Sequence, residues 1–393
     1  MRLAVMMFLE YLVWGSWLPL LALYLDQVLH FTGGEIGWIF ATQAIASLLG
    51  LFLGGQIADR LLPAEKLLSL SHLVAGGAML LLALQTAFWP FFALMLVYQL
   101  AYIPTLSLTN TICLAHVSDA RQQFGRLRLW GTIGWIAASW PFVFILAGRT
   151  GPDLHAALSS IFVVAGAASI ALAIFALTLP PTPPATARGE SSAPLKAIRL
   201  LAEPAMLVLF IATLMDSLVH QAYFQWTSPF LQAAGLAENW IMPAMSVGQI
   251  AEILSMAVLG AALARFGWRW TMTVGILAHA FRFFVFAIGD PLWLMVAVNV
   301  VHGVCYAFFF AAVYIYVDER CPRDARASAQ GLFNLAILGV GPFAGSLLWG
   351  WLGDVFRTPA GTVDFSRLFL APAGLALAAA VLMAVAFRPR ERE

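Results

Sequence analysis

The stretch that divides this chain is PPTPPATARGESSAPLKAIRLLAE, residues 180–203. It is the longest polar interruption in a sequence of 393 residues, of which 62% are hydrophobic and only 10% charged. A soluble globular protein carries about 25% charged residues. The prolines, glycine and serines of the stretch are typical of a flexible linker. The composition therefore predicts an all-α membrane protein that this linker cuts into two halves.

Apolar runs on both sides of the linker have the length of membrane-spanning helices. A helix needs about 20 apolar residues to cross a bilayer, and such windows predict twelve spans. They lie near residues 3–25, 34–58, 67–87, 89–115, 128–148, 155–179, 204–231, 239–263, 269–289, 291–317, 327–355 and 366–387. We expect a six-helix bundle over 1–179, a cytoplasmic linker over 180–203 and a second six-helix bundle over 204–393.

The basic residues give the orientation. With both termini in the cytoplasm, every lysine and arginine except Arg149, Arg282, Arg357 and Arg367 lies on the cytoplasmic side. Multi-pass membrane proteins show this asymmetry, and a wrong number of spans would scramble it. We expect a multi-pass protein of the inner (cytoplasmic) membrane, surrounded by lipid, with both termini cytoplasmic.

The turn after the second span has a counterpart in the other half. Gly55 is followed four residues later by Asp59 and Arg60, and the related segment GAALARFG, residues 260–267, follows the eighth span. Two six-helix halves with matching turns are typical of transporters whose site lies between the halves. The first turn also resembles the loop signature of the major facilitator superfamily, which assigns Gly55, Asp59 and Arg60 to a gating loop.

One cation enters an apolar run. Arg128 lies in RLRLWGTIGW, residues 126–135, and a guanidinium in the hydrocarbon costs about 2.5–3.5 kcal/mol. We expect it to have a function and a counter-charge, with Glu252 as first choice and Glu10 as second. The alternative is that Arg128 extends to the cytoplasmic surface, in which case Thr132 and Trp135 carry the site without it.

Polar side chains also lie at membrane depth in the first half. Glu10 shares a face of the first span with Trp14 and Trp17. Its carboxyl group should be protonated or paired, unless it reaches water at the nearby end of the span. Tyr102, in the fourth span, lies among hydroxyl and amide side chains that suit either a flat polar ligand or hydrogen bonds between helices.

The second half offers its polar groups in three spans. Gln249 and Glu252 lie three residues apart in the middle of the eighth span, too deep for Glu252 to reach water easily. The alternative for Glu252 is a structural ion pair with Arg282. His302 and Tyr306 share a face of the tenth span, where a lone histidine is commonly a hydrogen-bonded structural group.

The seventh span carries two polar pairs, each four residues apart. Asp216 with His220 and Gln221 with Gln225 face about 100° away from one another on a helix. Only one pair can face a cavity. We expect His220 and Gln221 to lie as neighbours at its edge.

Several segments carry a resemblance that covers nearly the whole chain. They are LVWGSWL at 12–18, AYIPTL at 101–106 with Asn110 and Thr111, RLWGTIG at 128–134, Gln249 with Glu252, Arg282 and Phe283 with Gly289, Asp290 and Pro291, and SAQGLF at 328–333. In these segments the chain resembles the nucleoside:proton symporters of the major facilitator superfamily, which implies the major facilitator fold.

The resemblance also implies a substrate site. By similarity it falls on Arg128, Thr132, Trp135, Gln221, Gln249, Glu252, His302 and Tyr306, to which the polar face of the fourth span adds Tyr102. Aromatic rings suit a nucleobase, while amides and a carboxyl group suit ribose hydroxyls. The chain departs from the family at Ala307, where an acidic residue is expected, and at Phe224, where an asparagine is expected.

These observations predict a secondary active transporter that takes up nucleosides with protons by alternating access. Glu252 or Glu10 would carry the proton, because a buried carboxyl group favours its neutral form. The alternatives are another polar metabolite, such as a sugar derivative or peptidoglycan fragment, and a ligand sensor that does not transport.

The same residues give no sign of an enzyme. The seven histidines are scattered along the sequence with no two at metal-ligand spacing, and no nucleophile stands with a base. We expect no metal, no cofactor and no nucleic-acid partner. The expected partners of this monomer are a small-molecule substrate and protons.

Overall fold

The computed structural model describes residues 1–118, 120–183, 200–321 and 326–389, without the side chains of 51–61, 120–122 and 327. Over these residues the backbone is helical apart from turns, short loops and one bridge between Arg357 and Val363. The chain forms two compact units, Met1–Arg188 with Ala237–Ser246 and Gly189–Leu236 with Val247–Glu393. Most of the linker predicted at 180–203 lies outside the described residues, so that boundary stays a prediction.

The first unit consists of the following helices. They are α1 Arg2–Gly15, α2 Leu18–Gln27, α3 Gly33–Leu61, α4 Ala64–Leu82, α5 Phe88–His116, α6 Ala120–Ala137, α7 Trp140–Ile145, α8 Gly151–Leu158 and α9 Ser160–Ala176. An apolar cluster that includes Met6, Leu68, Ile112 and Leu172 holds α1, α4, α5 and α9 together. This packing places the polar faces of α1, α4 and α5 against one another.

Glycine lets α1 and α6 come unusually close. A Cβ atom on Gly134 would lie 2.1 Å from the backbone oxygen of Phe8, and one on Gly15 would lie 2.9 Å from the backbone oxygen of Trp135. Small residues at such crossings allow backbones to approach within a membrane. The approach sets the side chains of α6 directly beside those of α1.

The remaining helices are longer and less regular, and they belong to the second unit except for the start of α11, up to Ser246. They are α10 Pro204–Ala233, α11 Glu238–Ile288, α12 Leu292–Ala297, α13 Val301–Cys305, α14 Ala312–Arg320, α15 Arg326–Asn334, α16 Gly341–Val355 and α17 Phe365–Ala386. A 3₁₀ turn joins α12 to α13, and π-helical segments Tyr306–Ala311 and Leu335–Val340 join α13 to α14 and α15 to α16. The helix α10 packs against both α16 and α17.

The predicted spans differ from these helices in several places. The fifth breaks between α6 and α7, where Pro141 stands in the first turn of α7 and has no N–H to continue the preceding helix. The eighth and ninth spans join in α11 with a kink at Gly267, which has φ +68°. Among the described residues nine helices are long and apolar enough to cross a membrane, so the count of twelve stays a prediction.

Candidate substrate and proton sites

Glu10 is a fully buried acid of the first unit. Its side chain has no exposed surface, which excludes the alternative that it reaches water. Its Oε2 lies 2.9 Å from His72 Nε2, and its Oε1 accepts a hydrogen bond of 2.7 Å from the Thr105 hydroxyl. Its backbone oxygen accepts a bond of 2.7 Å from the hydroxyl of Tyr102. The acid is therefore paired by side chains from α4 and α5.

The hydrogen bonds of His72 fix where its protons lie. Ser169 Oγ donates to the backbone oxygen of His72 at 2.9 Å, so the same hydroxyl must accept from His72 Nδ1, which also lies 2.9 Å away. The contact of Nε2 with Glu10 then needs one further proton. Glu10 and His72 share that proton, as carboxylate with imidazolium or as carboxylic acid with neutral imidazole.

An aromatic cluster lies next to this pair on the same face of α1. Trp14, one helical turn after Glu10, has its ring 5.4 Å from that of Trp135 and 6.1 Å from that of Tyr102. Trp135 and Thr132 on α6 are partly exposed. Tyr102 is fully buried, and its hydroxyl donates a hydrogen bond to the backbone oxygen of Glu10. Trp135 therefore keeps part of its ring exposed, whereas Tyr102 is enclosed beside Trp14 and Glu10.

Arg128 has a different partner from the one expected. Its guanidinium carbon lies 4.1 Å from the ring centroid of Tyr11, a cation–π contact. The second-choice pairing with Glu10 is wrong, because the carboxyl oxygens of Glu10 are bonded to His72 and Thr105. Pairing with Glu252, which belongs to the other unit, stays a prediction.

In the second unit, four of the predicted substrate residues are partly exposed. These are Gln221, Gln249, Glu252 and Tyr306. Gln249 Oε1 is a buried acceptor without a hydrogen-bond partner, as expected of an amide kept for a ligand. His220 and Gln221 are more exposed than the buried Asp216 and Gln225; their place at a cavity edge stays a prediction.

His302 is the exception among these residues because it is only 2% exposed. Its Nδ1 lies 2.9 Å from Arg282 Nη1 and accepts from it, since an arginine can only donate. Arg282 is itself fully buried, with its guanidinium carbon 4.1 Å from the ring centroid of Tyr223. The alternative pairing of Arg282 with Glu252 stays a prediction, while His302 accepts from Arg282 Nη1.

Histidines that are far apart in sequence meet in this unit. His279 Nδ1 lies 2.8 Å from Asp216 Oδ1, and its Nε2 lies 3.1 Å from His220 Nδ1. The ring of His220 stacks on that of His302 at 5.3 Å. Histidines that are scattered in the sequence thus come together in space, and the described residues include no group of three ligands that could hold a metal ion.

Sequence reasoning overlooked two residues that complete these contacts. His72 and His279 each lie inside a predicted span, at 67–87 and 269–289. A titratable side chain within an apolar span is a signal by itself. The sequence assigns neither a role, because their partners, Glu10 and Asp216, lie on other helices.

The gating loop and the two positions that depart from the family, Ala307 and Phe224, remain to be placed in the structure. The structure does not describe the side chains of the gating-loop residues Gly55, Asp59 and Arg60. Their backbone belongs to α3, which ends at Leu61 rather than near residue 58, where the second span was predicted to end. Ala307 is fully buried within the π-helical segment. Phe224 packs edge-on against His220 at 5.3 Å.

The fold and the buried titratable groups define a class of protein, the helical transporters of the major facilitator superfamily. A solved D-xylose–proton symporter has the same fold, with a TM-score of 0.76 at 12% identity, over 98% of each chain. The chain matches the nucleoside H⁺ symporter family over residues 1–392 and belongs to it.

Individual relatives agree over their full length. A xanthosine permease of Escherichia coli is 34% identical over 409 residues, covering 99% of this chain and 96% of the permease. The nucleoside permease NupG of Escherichia coli is 30% identical over 408 residues, covering 98% and 94%. The crystal structure of nucleoside transporter NupG has a TM-score of 0.88 at 28% identity, covering 99% of each chain.

Proposed function

We propose that this protein takes up nucleosides together with protons across the cytoplasmic membrane, as a monomeric transporter with both termini in the cytoplasm rather than an enzyme. The observation that carries the proposal is the Glu10–His72 pair. It is a buried acid and base sharing one proton, one helical turn from Trp14, which packs against the partly exposed Trp135. A proton site and a ring for a nucleobase are thus linked through α1.

The substrate would be held by stacking and by polar contacts. In the first unit, Trp135 offers a ring face, and Thr132 and Arg128 offer donors. In the second unit, Tyr306 offers a ring, and Gln221, Gln249 and Glu252 offer groups for the ribose and the base edges. His302 acts behind them, because its burial and its bond to Arg282 leave it little free surface.

Proton loss gives the first unit two states. With the shared proton, Glu10 and His72 attract each other. Without it, a carboxylate oxygen faces the lone pair of Nε2 at 2.9 Å, and the contact between α1 and α4 is no longer favourable. Such a contact, made or broken by one proton, biases an element between two arrangements, as alternating access requires. Glu252 is the second proposed carrier of the coupling proton.

The test is uptake of radiolabelled nucleosides into liposomes that contain the purified protein. With an acidic exterior, the wild type should concentrate nucleoside, whereas Glu10→Gln and Glu252→Gln should lose concentration but keep nucleoside counterflow, which needs no net proton movement. Glu319→Gln, at an exposed site on α14, is the matched control. If both variants still concentrate nucleoside, the proposed proton carriers are wrong.

A ligand screen tests the substrate class separately. A ligand that binds the folded state stabilises it by RT ln(1 + [L]/Kd), so the unfolding temperature of the purified protein should rise with nucleosides. Nucleobases, sugars and peptidoglycan fragments serve as comparisons. Stabilisation by a sugar or a peptidoglycan fragment and not by nucleosides would contradict the proposal, as would nucleoside binding without any flux in liposomes.

A further inference from the structure

Three titratable side chains of the second unit, none of them among the predicted substrate residues, form a continuous chain. Asp216 on α10 contacts His279 on α11 (2.8 Å), and His279 contacts His220, one turn further along α10 (3.1 Å). Asp216 and His279 have no exposed surface, whereas His220 is partly exposed. The three side chains therefore connect an accessible ring to an enclosed acid.

The neighbouring groups constrain the protonation of this chain. Arg282 donates to His302 Nδ1, so His302 is a neutral acceptor at that atom. Phe224 on α10 and Phe310 in the π-helical segment pack against the rings of the chain, and Cys305 on α13 lies close enough to Asp216 to interact electrostatically. Tyr223 on α10 faces Arg282. With Asp216 ionised, Arg282 is its counter-charge, and the buried cluster is neutral overall.

Each hydrogen bond of the chain then runs in one direction. An ionised Asp216 only accepts, so His279 donates from Nδ1 and, being neutral, accepts at Nε2. His220 must donate to it from Nδ1, which leaves its own Nε2 as a free base. The second carboxyl oxygen of Asp216, Oδ2, is buried without a hydrogen-bond partner. A buried carboxylate that lacks partners is costly, so this acid favours taking up a proton.

We propose that Asp216 is a second proton-binding site of the transporter and that His220 and His279 load it. A proton binds His220 Nε2, the Nδ1 proton of His220 passes to His279 Nε2, and the Nδ1 proton of His279 passes to Asp216 Oδ1. Three bonds to hydrogen form and two break, so one proton enters. Asp216 becomes neutral, both rings end neutral as the other tautomer, and the cluster gains the uncompensated charge of Arg282.

The inference rests on the proposed proton-coupled transport, but it is tested on the purified full chain without substrate. After a step to acidic pH, a pH-indicator dye measures proton uptake, and infrared spectroscopy detects the carbonyl band of a protonated carboxyl group. Asp216→Asn should lose one proton of uptake together with one such band. Asp153→Asn, an exposed acid on α8, should lose neither the proton nor the band of Asp216.

The histidines have a kinetic signature that a merely structural role would not give. His220→Gln and His279→Gln should reach the proton uptake of the wild type, but more slowly, whereas His155→Gln on α8 should keep the wild-type rate. The His220→Gln and His279→Gln variants also test the relay if Asp216→Asn does not fold. Loading at the wild-type rate in both histidine variants would overturn the relay, and unchanged uptake and band in Asp216→Asn would overturn the site.

The liposome assay separates this inference from the function. Under a pH gradient, Asp216→Asn should lose nucleoside concentration while keeping counterflow. A wild-type protein that moves no nucleoside would refute the proposed function, and the proton-uptake measurement would still decide whether Asp216 binds a proton.

Discussion

Replacing His72 by alanine removes the partner of a fully buried carboxyl group. His72 holds Glu10 at 2.9 Å and Ser169 at 2.9 Å, and none of these side chains is exposed. Removing one partner of a buried pair costs about 3–5 kcal/mol. For a unit of about 200 residues, each kcal/mol lowers the unfolding temperature by about 2–4 °C. His72→Ala should therefore unfold about 6–20 °C below the wild type.

The loss should depend on Glu10. In Glu10→Gln the carboxyl group is absent, so removing His72 leaves no buried acid behind. The double variant should be more stable than the sum of the single effects predicts, by about 0.5–3 kcal/mol. The assay is thermal unfolding of the detergent-purified protein, followed by tryptophan fluorescence.

His155→Ala is the matched control. His155 lies partly exposed on α8, and a surface substitution changes stability by about 0.5 kcal/mol or less. Single effects of His72→Ala and Glu10→Gln that simply add would refute the shared proton. An unfolding temperature of His72→Ala equal to that of His155→Ala would also refute the shared proton.

Two further predictions concern α6 and its contacts. Gly134→Ala should reduce the yield of folded protein, because its Cβ would clash with the backbone oxygen of Phe8. Gly77→Ala is the control, because a Cβ at Gly77 would meet no atom within 4 Å. Size-exclusion chromatography of the two variants measures the yield of folded protein. Trp135→Ala should weaken nucleoside binding by about 1–3 kcal/mol, the range for an aromatic ring stacked on a base, whereas Trp130→Ala, 46% exposed on the same helix, should bind as the wild type does by calorimetry. Equal affinities of these two tryptophan variants would contradict the stacking role.

Most of the fold follows from local patterns. Apolar length predicts the helices because a helix satisfies its own backbone hydrogen bonds, the one requirement that the membrane interior imposes on every span. The breaks are harder to predict. Gly267 and Pro141 interrupt or begin helices through their own backbone chemistry, but the π-helical segment at Tyr306–Ala311 contains no residue that demands it.

For the titratable sites, too, the sequence predicts one part and leaves another part to the tertiary structure. The sequence marks Glu10, Asp216 and Arg282 as costly groups within apolar runs, and for Glu10 it predicts a protonated or paired carboxyl group. It does not identify their partners. His72 follows Glu10 by 62 residues, and His279 follows Asp216 by 63.

What the sequence alone determined is the class of protein: the helical spans, the two halves and the family resemblance, since all of these depend on residue type and local spacing. Only the tertiary structure decided which acid meets which base. That depends on how each helix is rotated against its neighbours, and close crossings such as that of Gly134 with Phe8 fix the rotation. A shift of one residue along a helix turns a side chain by about 100°, which is enough to separate His72 from Glu10.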